Sequence, residues 1–383
     1  MSKLLSQGGY GCVFYPSITC SGRNSTNKTK VSKLQRKDWA AKNEVKIGNS
    51  IKKIMNHDLF FLPIIDSCDI NISSVDKSLV SECRVVQKKP NADYVLMKMK
   101  YLENITFTDY LISGNHSNIY VLSKVVQSFK SLANSLKILN EHHIVHHDLK
   151  LDNILIGSKN HAPIIIDFGI SLDMKKINSN NINLLDDYFY VDAPDYYPWP
   201  LEVHIINYIV QTRINSNYDN SPMNVNELKK IAELWCESNA GLDLFNESFK
   251  SAFLKKCYHF VRQFKGKSNT EILDILLSTY MTWDVYSLSV IYMKVVGFLF
   301  NNEFPDTNFI SEFVQLNLIN LSPNPNDRLG WNETLNYIND IVNRDSSLKD
   351  LEITVDSINI NANTITNSIK SERKALQNLI KHR

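Results

Sequence analysis

Three residues of one short loop carry groups suited to moving a phosphoryl group: Asp148, Lys150 and Asn153. They lie in the run Ile144-Val145-His146-His147-Asp148-Leu149-Lys150-Leu151-Asp152-Asn153. A short apolar stretch, Ile164-Ile165-Ile166, follows and ends in Asp167-Phe168-Gly169. The Asp148 carboxylate can take or orient the proton of an acceptor hydroxyl, and the Lys150 ammonium can meet the charge on the transferred group. Asn153 and Asp167 offer hard oxygen ligands for Mg²⁺. A lone Asp or Asn in a loop is usually a turn or capping residue. Here several typed positions match at fixed spacing, with Asp-Phe-Gly beginning 14 residues after Asn153, which argues against coincidence.

Such groups act only where other elements hold a phosphate donor against them. Near the N-terminus, Ser6-Gln7-Gly8-Gly9-Tyr10-Gly11-Cys12-Val13-Phe14-Tyr15 offers glycines whose missing Cβ lets backbone N–H groups approach phosphate oxygens. Alone, this would equally be a hairpin turn; its place ahead of the Asp148 loop favours phosphate. Thr29 to Leu34 reads as a short strand carrying Lys33, with Lys30, Lys37 and Lys42 as competing cations. Asp38 to Met55 has helical periodicity, and Glu44 lies 11 residues after Lys33. Tyr94 to Met99 reads as a strand, and Val121 to His143 as a helix leading into the loop.

The chain has 383 residues, 43% of them hydrophobic, enough to bury a large core. Its net charge of +2 gives no electrostatic reason to expect nucleic-acid binding. The most apolar run, Val290 to Phe300, is interrupted by Lys294, so no membrane insertion is expected. A glycine-rich motif beginning near residue 6 leaves no secretory signal to be expected. The six cysteines form no Cys-x-x-Cys pair, so no zinc site is expected, and a reducing compartment is the simpler expectation.

Together these motifs resemble the catalytic core of eukaryotic-type protein kinases over residues 1–345. The resemblance implies an α+β, bilobal fold. A small, mainly β N-lobe would occupy about residues 1–100 and a larger helical C-lobe about 103–345, with a helical insertion at about 205–280. A polar tail from 346 to 383 would end in a helix over Ile369 to Arg383. By resemblance, Asp148 and Lys150 are catalytic, and Asn153 and Asp167 hold Mg²⁺. Ser6, Gly8, Gly9, Gly11, Val13, Lys33, Glu44, Met99 and Tyr101 surround ATP. Ser6 stands where the family's first glycine would be. Met99 takes the gatekeeper position, with Met97 as the other register, and Lys100 to Leu102 present backbone groups to adenine. Lys150 implies serine/threonine specificity toward a protein substrate.

His147 replaces the Arg that in most regulated kinases docks a phosphorylated activation segment. A neutral His cannot do so, although below about pH 6.5 an unperturbed one would be cationic. Activity is therefore expected without such phosphorylation near neutral pH. The activation segment runs from Asp167 to about Glu202, with Pro200-Leu201-Glu202 favoured over Ala193-Pro194-Asp195 as its end. Asp284 is expected to accept from the catalytic-loop backbone, and Arg328 to pair with Glu202. The glycine turn, Val31-Ser32-Lys33-Leu34 and the insertion look like kinases of large nucleocytoplasmic DNA viruses, which would place the chain in host cytoplasm or virions. The rival readings are a pseudokinase scaffold and a small-molecule kinase. Lys33, Asp148, Asn153 and Asp167 weigh against the first; Phe168-Gly169, Asp284 and Arg328 weigh against the second.

Overall fold

A computed structural model describes residues 2–9, 11–112, 117–214, 221–301 and 307–345. The expected terminal helix and the tail lie outside the described residues.

The N-terminal part is built on β1 (Lys3–Gln7), β2 (Gly11–Tyr15), β3 (Lys30–Arg36), β4 (Asp66–Ile70) and β5 (Tyr94–Lys100). They form one antiparallel sheet in the order β1-β2-β3-β5-β4. Helix α1 (Trp39–Ile51) packs on one face of the sheet through Ala41 against Val95 and Met97, and two short helices, α2 (Lys77–Glu82) and α3 (Arg84–Lys88), pack on the other. Asp38 starts α1, accepting from the Ala41 N–H. The helix ends at Ile51 instead of the expected Met55, and Asn56 then turns the chain through φ 57°. Disulfides join Cys12 to Cys83 and Cys20 to Cys68, with Cα–Cα distances of 5.8 and 6.0 Å. They run against the expectation of a reducing compartment.

The C-terminal part is helical. β6 (Asn104–Ile105), α4 (Phe107–Ile112) and α5 (Asn118–Glu141) lead to β7 (Ile144–Val145), β8 (Ile154–Gly157), β9 (Pro163–Ile165) and β10 (Leu172–Asp173). These short strands pin the two ends of the catalytic loop. After α6 (Ile182–Tyr188) and α7 (Leu201–Ile209) come α8 (Val225–Glu237), α9 (Glu247–Arg262) and α10 (Asn269–Leu277), then α11 (Trp283–Asn301), α12 (Asn308–Asn320) and α13 (Trp331–Arg344). The architecture is the bilobal α+β fold that the motifs imply.

Two apolar cores support the cleft. The first joins the lobes: Ile47 and Ile51 of α1 meet Phe61, Phe168 and the inner faces of α5, α11 and α12. The second lies under the activation segment and includes Phe189, Trp199 and α7 to α10. Leu228, Ile231, Ala232 and Trp235, spaced i, i+3, i+4 and i+7 along α8, are buried there. Trp235 Nε1 donates to the Trp199 carbonyl at 2.9 Å, so the inserted helices brace the end of that segment. The stretch from Tyr280 to Asn301 is long and apolar enough to cross a membrane, yet 78% of its most apolar window is packed inside the protein, as a core helix would be.

Candidate active site

β3 and α1 set the upper half of the cleft. Lys33 pairs across the ladder with Met97, and Val31 with Met99. Paired positions and alternate residues share a face, so Lys33, Met97 and Met99 look the same way. Met97 is fully buried beside Ala41 and Ile64, whereas Met99, the expected gatekeeper, is only partly covered. Lys33 Nζ donates to Glu44 Oε2 and to Asp167 Oδ1, both at 2.9 Å. Burial opposes its charge, but the two carboxylates outweigh burial and hold its pKa above the usual lysine range. Burial pushes the Glu44 carboxyl up to about 7 against the pull of Lys33. Asp167 is also disfavoured by burial, but Lys33 overcomes this and keeps it below the usual carboxylate range. Of the competing cations, Lys30 pairs with Lys100 on the ladder and Lys37 bonds Asp69.

In the glycine turn, the Gly8 N–H donates to Gly11 O at 2.9 Å. A Cβ on Gly11 would come within 2.5 Å of Leu34 O, so β3 itself demands glycine there. A Cβ on Gly8 or Gly9 would meet nothing within 4 Å; protein packing does not require glycine at either. Ser6 sits opposite Val13, beside an irregularity in the β1–β2 register. Tyr101 directly follows β5. Its N–H already donates to Thr29 O at 2.8 Å, and its ring stacks on Tyr15 with centroids 3.8 Å apart. Its N–H and ring are thus both engaged within the protein.

The lower half hangs from α11. The Asp284 carboxylate accepts from the N–H groups of His146 (2.7 Å) and His147 (3.2 Å), as the motif implied, while burial raises its pKa. His146 Nε2 donates to Ile166 O at 3.0 Å, and Nδ1 accepts from the Asp148 N–H at 3.3 Å, which selects the Nε2–H tautomer. His147 and Asp167 have φ of 67° and 63°, a left-handed conformation that side chains other than glycine seldom adopt and that clusters at functional sites. Lys150 Nζ donates to both Asp148 oxygens, at 3.0 and 2.8 Å. Asn153 Nδ2 donates to Asp148 O at 2.7 Å and to Oδ2 at 2.9 Å. Upper and lower halves meet around a concavity lined by Lys33, Asp148, Asp167 and Gly169, among others.

Three features were not read from the sequence. Tyr196 Oη donates to Asp148 Oδ1 at 2.9 Å, and no local pattern marks that residue. Asn43 bonds the carbonyls of Gly169 and Ser171, more than 120 residues away. The third is the environment of His147. Its ring is buried and stacks on Trp199 at 4.8 Å, with Phe189 and Trp283 beside it. Burial, with His146 and His204 nearby, drives its pKa down to about 3. Buried in this way, His147 is not the unperturbed imidazole that would become cationic below pH 6.5.

The segment's far end is fixed as expected. Arg328 Nη1 and Nη2 donate to Glu202 Oε1 and Oε2 at 2.5 and 2.9 Å, with both side chains fully buried. The planar fork matches the carboxylate bidentately, and Glu202 rather than Asp195 is the partner.

Comparison with known proteins agrees with this geometry. The protein kinase domain model matches residues 2–194. A Dictyostelium discoideum protein described as "Probable serine/threonine-protein kinase fnkB" is 23% identical over 153 residues, covering 36% of this chain and 27% of the relative. "Serine/threonine-protein kinase atg1" from the same organism is 28% identical over 156 residues, covering 36% of this chain and 22% of that protein. "Probable serine/threonine-protein kinase mkcE", also from that organism, is 32% identical over 101 residues, 26% of this chain and 13% of the relative. The chain thus spans about a quarter or less of the length of these relatives. The family match covers just over half of the chain and contains Lys33, Glu44, Asp148, Asn153 and Asp167, so this chain belongs to the protein kinase domain family.

Proposed function

We propose that the chain is an ATP- and Mg²⁺-dependent serine/threonine kinase acting on proteins. The observation that carries this reading is the convergence of Lys33, Asp148 and Asp167 on one concavity, with Lys33 tied to both Glu44 and Asp167. In this reading Lys33 holds the nucleotide's phosphates, and Glu44 keeps Lys33 in place. Gly8 and Gly9, where packing needs no glycine, leave the turn's backbone open to phosphate oxygens. Asp148 orients the acceptor hydroxyl and takes its proton, while Lys150 turns from Asp148 toward the transferred group.

The donor set fits Mg²⁺. Among the described residues no group of three or more His, Cys, Asp or Glu could hold a metal by itself. Mg²⁺ needs none, because it commonly uses one or two protein oxygens, with phosphates and water completing the shell. Asp167 supplies an anionic oxygen. Asn153 spends its N–H groups on Asp148, which leaves its amide oxygen for the ion. When bound, Mg²⁺ would neutralise charge on the phosphates.

Serine/threonine preference rests on Lys150 and on the printed descriptions of the three relatives. The likeness to kinases of large DNA viruses, and with it a host-cytoplasm or virion setting, rests on the glycine turn and the insertion. Trapping free thiols in freshly lysed cells tests that setting, since both disulfides should be found reduced in a reducing cytoplasm. The central test is transfer of labelled γ-phosphate to a generic protein substrate. Asp148→Asn should lower turnover by orders of magnitude with little effect on nucleotide binding, Asp167→Ala should abolish transfer, and Lys33→Met but not Lys30→Met should lose activity. Wild-type activity in Asp148→Asn would refute the assignment. Comparing phosphoproteomes of cells with wild-type and Asp148→Asn protein would then identify substrates.

A further inference from the structure

We propose that Asn43 is a positioning residue that locks α1 to the turn bearing Asp167, and that Tyr188 couples the activation segment to that lock. The inference rests on the roles given above to Lys33 and Asp167.

Asn43 is buried, at 4% exposure, and its amide is fully used. Nδ2 donates to Gly169 O at 3.0 Å and to Ser171 O at 2.9 Å, while Oδ1 accepts from Tyr188 Oη at 3.3 Å. An Asp of the same length could not donate to the two carbonyls, and a Leu could neither donate nor accept. The next residue, Glu44, holds Lys33, which holds Asp167, two residues before Gly169. The contacts therefore close a circuit: Asp167, Lys33, Glu44, Asn43, Gly169. α1 cannot swing outward without breaking its ion pair to Lys33 and its amide bonds to the Asp-Phe-Gly turn together.

Tyr188 reaches this circuit from the last turn of α6. Its ring meets Trp39 edge-on at 4.7 Å, and Lys46 Nζ lies 3.5 Å from its hydroxyl. Trp39, Asn43 and Lys46 stand at i, i+4 and i+7, one stripe of α1. The activation segment thus grips α1 through a tyrosine ring and hydroxyl. His147, buried in its aromatic stack, takes no part.

The test is steady-state kinetics on the full chain, with Tyr188→Phe, Asn43→Ala and the double variant, alongside thermal unfolding. A lock that aligns Lys33 predicts that Asn43→Ala lowers kcat/KM for ATP about ten-fold or more and leaves the peptide KM within two-fold. Tyr188→Phe should move the same parameter in the same direction, and less. Because the hydroxyl acts through Asn43, the double variant should be no worse than Asn43→Ala alone. A merely structural role would lower the melting temperature while kcat/KM per folded molecule stayed unchanged, and that result would overturn the inference. If Asn43→Ala does not fold, Tyr188→Phe decides: kcat/KM for ATP equal to wild type overturns the inference. Wild-type protein that transfers no phosphate refutes the kinase reading and this inference with it; active wild type with unchanged variants refutes this inference alone.

Discussion

Asp148 accepts from four donor contacts: two from Lys150, one from Asn153 and one from Tyr196. A carboxylate offers about four lone-pair sites, so an incoming hydroxyl must displace a donor. Lys150 is free to turn to phosphate, whereas Tyr196 is held by its carbonyl to His204 and edge-on against Trp199. Tyr196→Phe should therefore lower the KM for a peptide substrate several-fold and leave the KM for ATP unchanged; a rise in peptide KM would make the hydroxyl a helper instead of a competitor. Two buried histidines govern a second effect. Burial holds His147 near 3 and His204 near 4, against an ordinary 6.5. The folded state keeps both neutral while the unfolded chain takes up protons as pH falls through 6.5. Stability is therefore present above 6.5 and lost toward the folded values, by up to about 1.4 kcal/mol per pH unit for each histidine. Melting temperature measured from pH 6.5 to 4.5 should fall, with a shallower slope in His204→Gln; equal slopes would contradict the assignment. Asp148, Lys150, Asn153 and Asp167 were legible because their relation is one of sequence spacing. Tyr196 and the fate of His147 were not, because the first depends on a loop's path and the second on which rings close over it.

At the scale of elements, the ends of the activation segment are held by opposite means. Near its start, the Gly169 and Ser171 carbonyls accept from Asn43 of α1, and farther along Tyr188 donates to the same side chain. At its end, Glu202 and Arg328 form a fully buried charged pair that does not let go cheaply. Removing either partner should cost roughly 3–5 kcal/mol, since the other charge stays buried alone. Glu202→Gln, Arg328→Met and the double variant, unfolded in urea, should reveal coupling of at least 1 kcal/mol, on the scale expected for contacting residues. Additive effects would mean that the pair contributes through packing alone. Helix positions were partly readable from periodicity: the stretch beginning at Asp38 becomes α1, and Val121 to His143 falls on α5 to within a few residues. What periodicity could not give was the partner of each apolar stripe, such as Trp235 beneath Trp199.

For the whole molecule, the two lobes are stabilised differently. The C-lobe relies on large apolar cores, while the sheet of the N-lobe adds two cross-links spanning 71 and 48 residues. In the chain-entropy account each stabilises by on the order of 4 kcal/mol, with less than the sum for nested loops. A thiol reductant should therefore lower the N-lobe's unfolding midpoint and weaken ATP binding, while C-lobe amides keep their hydrogen-exchange protection; unchanged ATP affinity in excess reductant would contradict this. The cysteines were visible in the sequence but their pairing was not, because it follows from the folding of β2, β4 and α2 around one another. The loops are also concentric, since residues 20–68 lie wholly inside 12–83. Lys33 and Glu44 are both within the inner ring, so even a fully denatured, oxidised chain keeps them on one small covalent circle. Protease cleavage at a single bond between residues 21 and 67 would sever the backbone without parting the pieces. A nicked molecule would run as one species on a non-reducing gel and separate into two only after reduction.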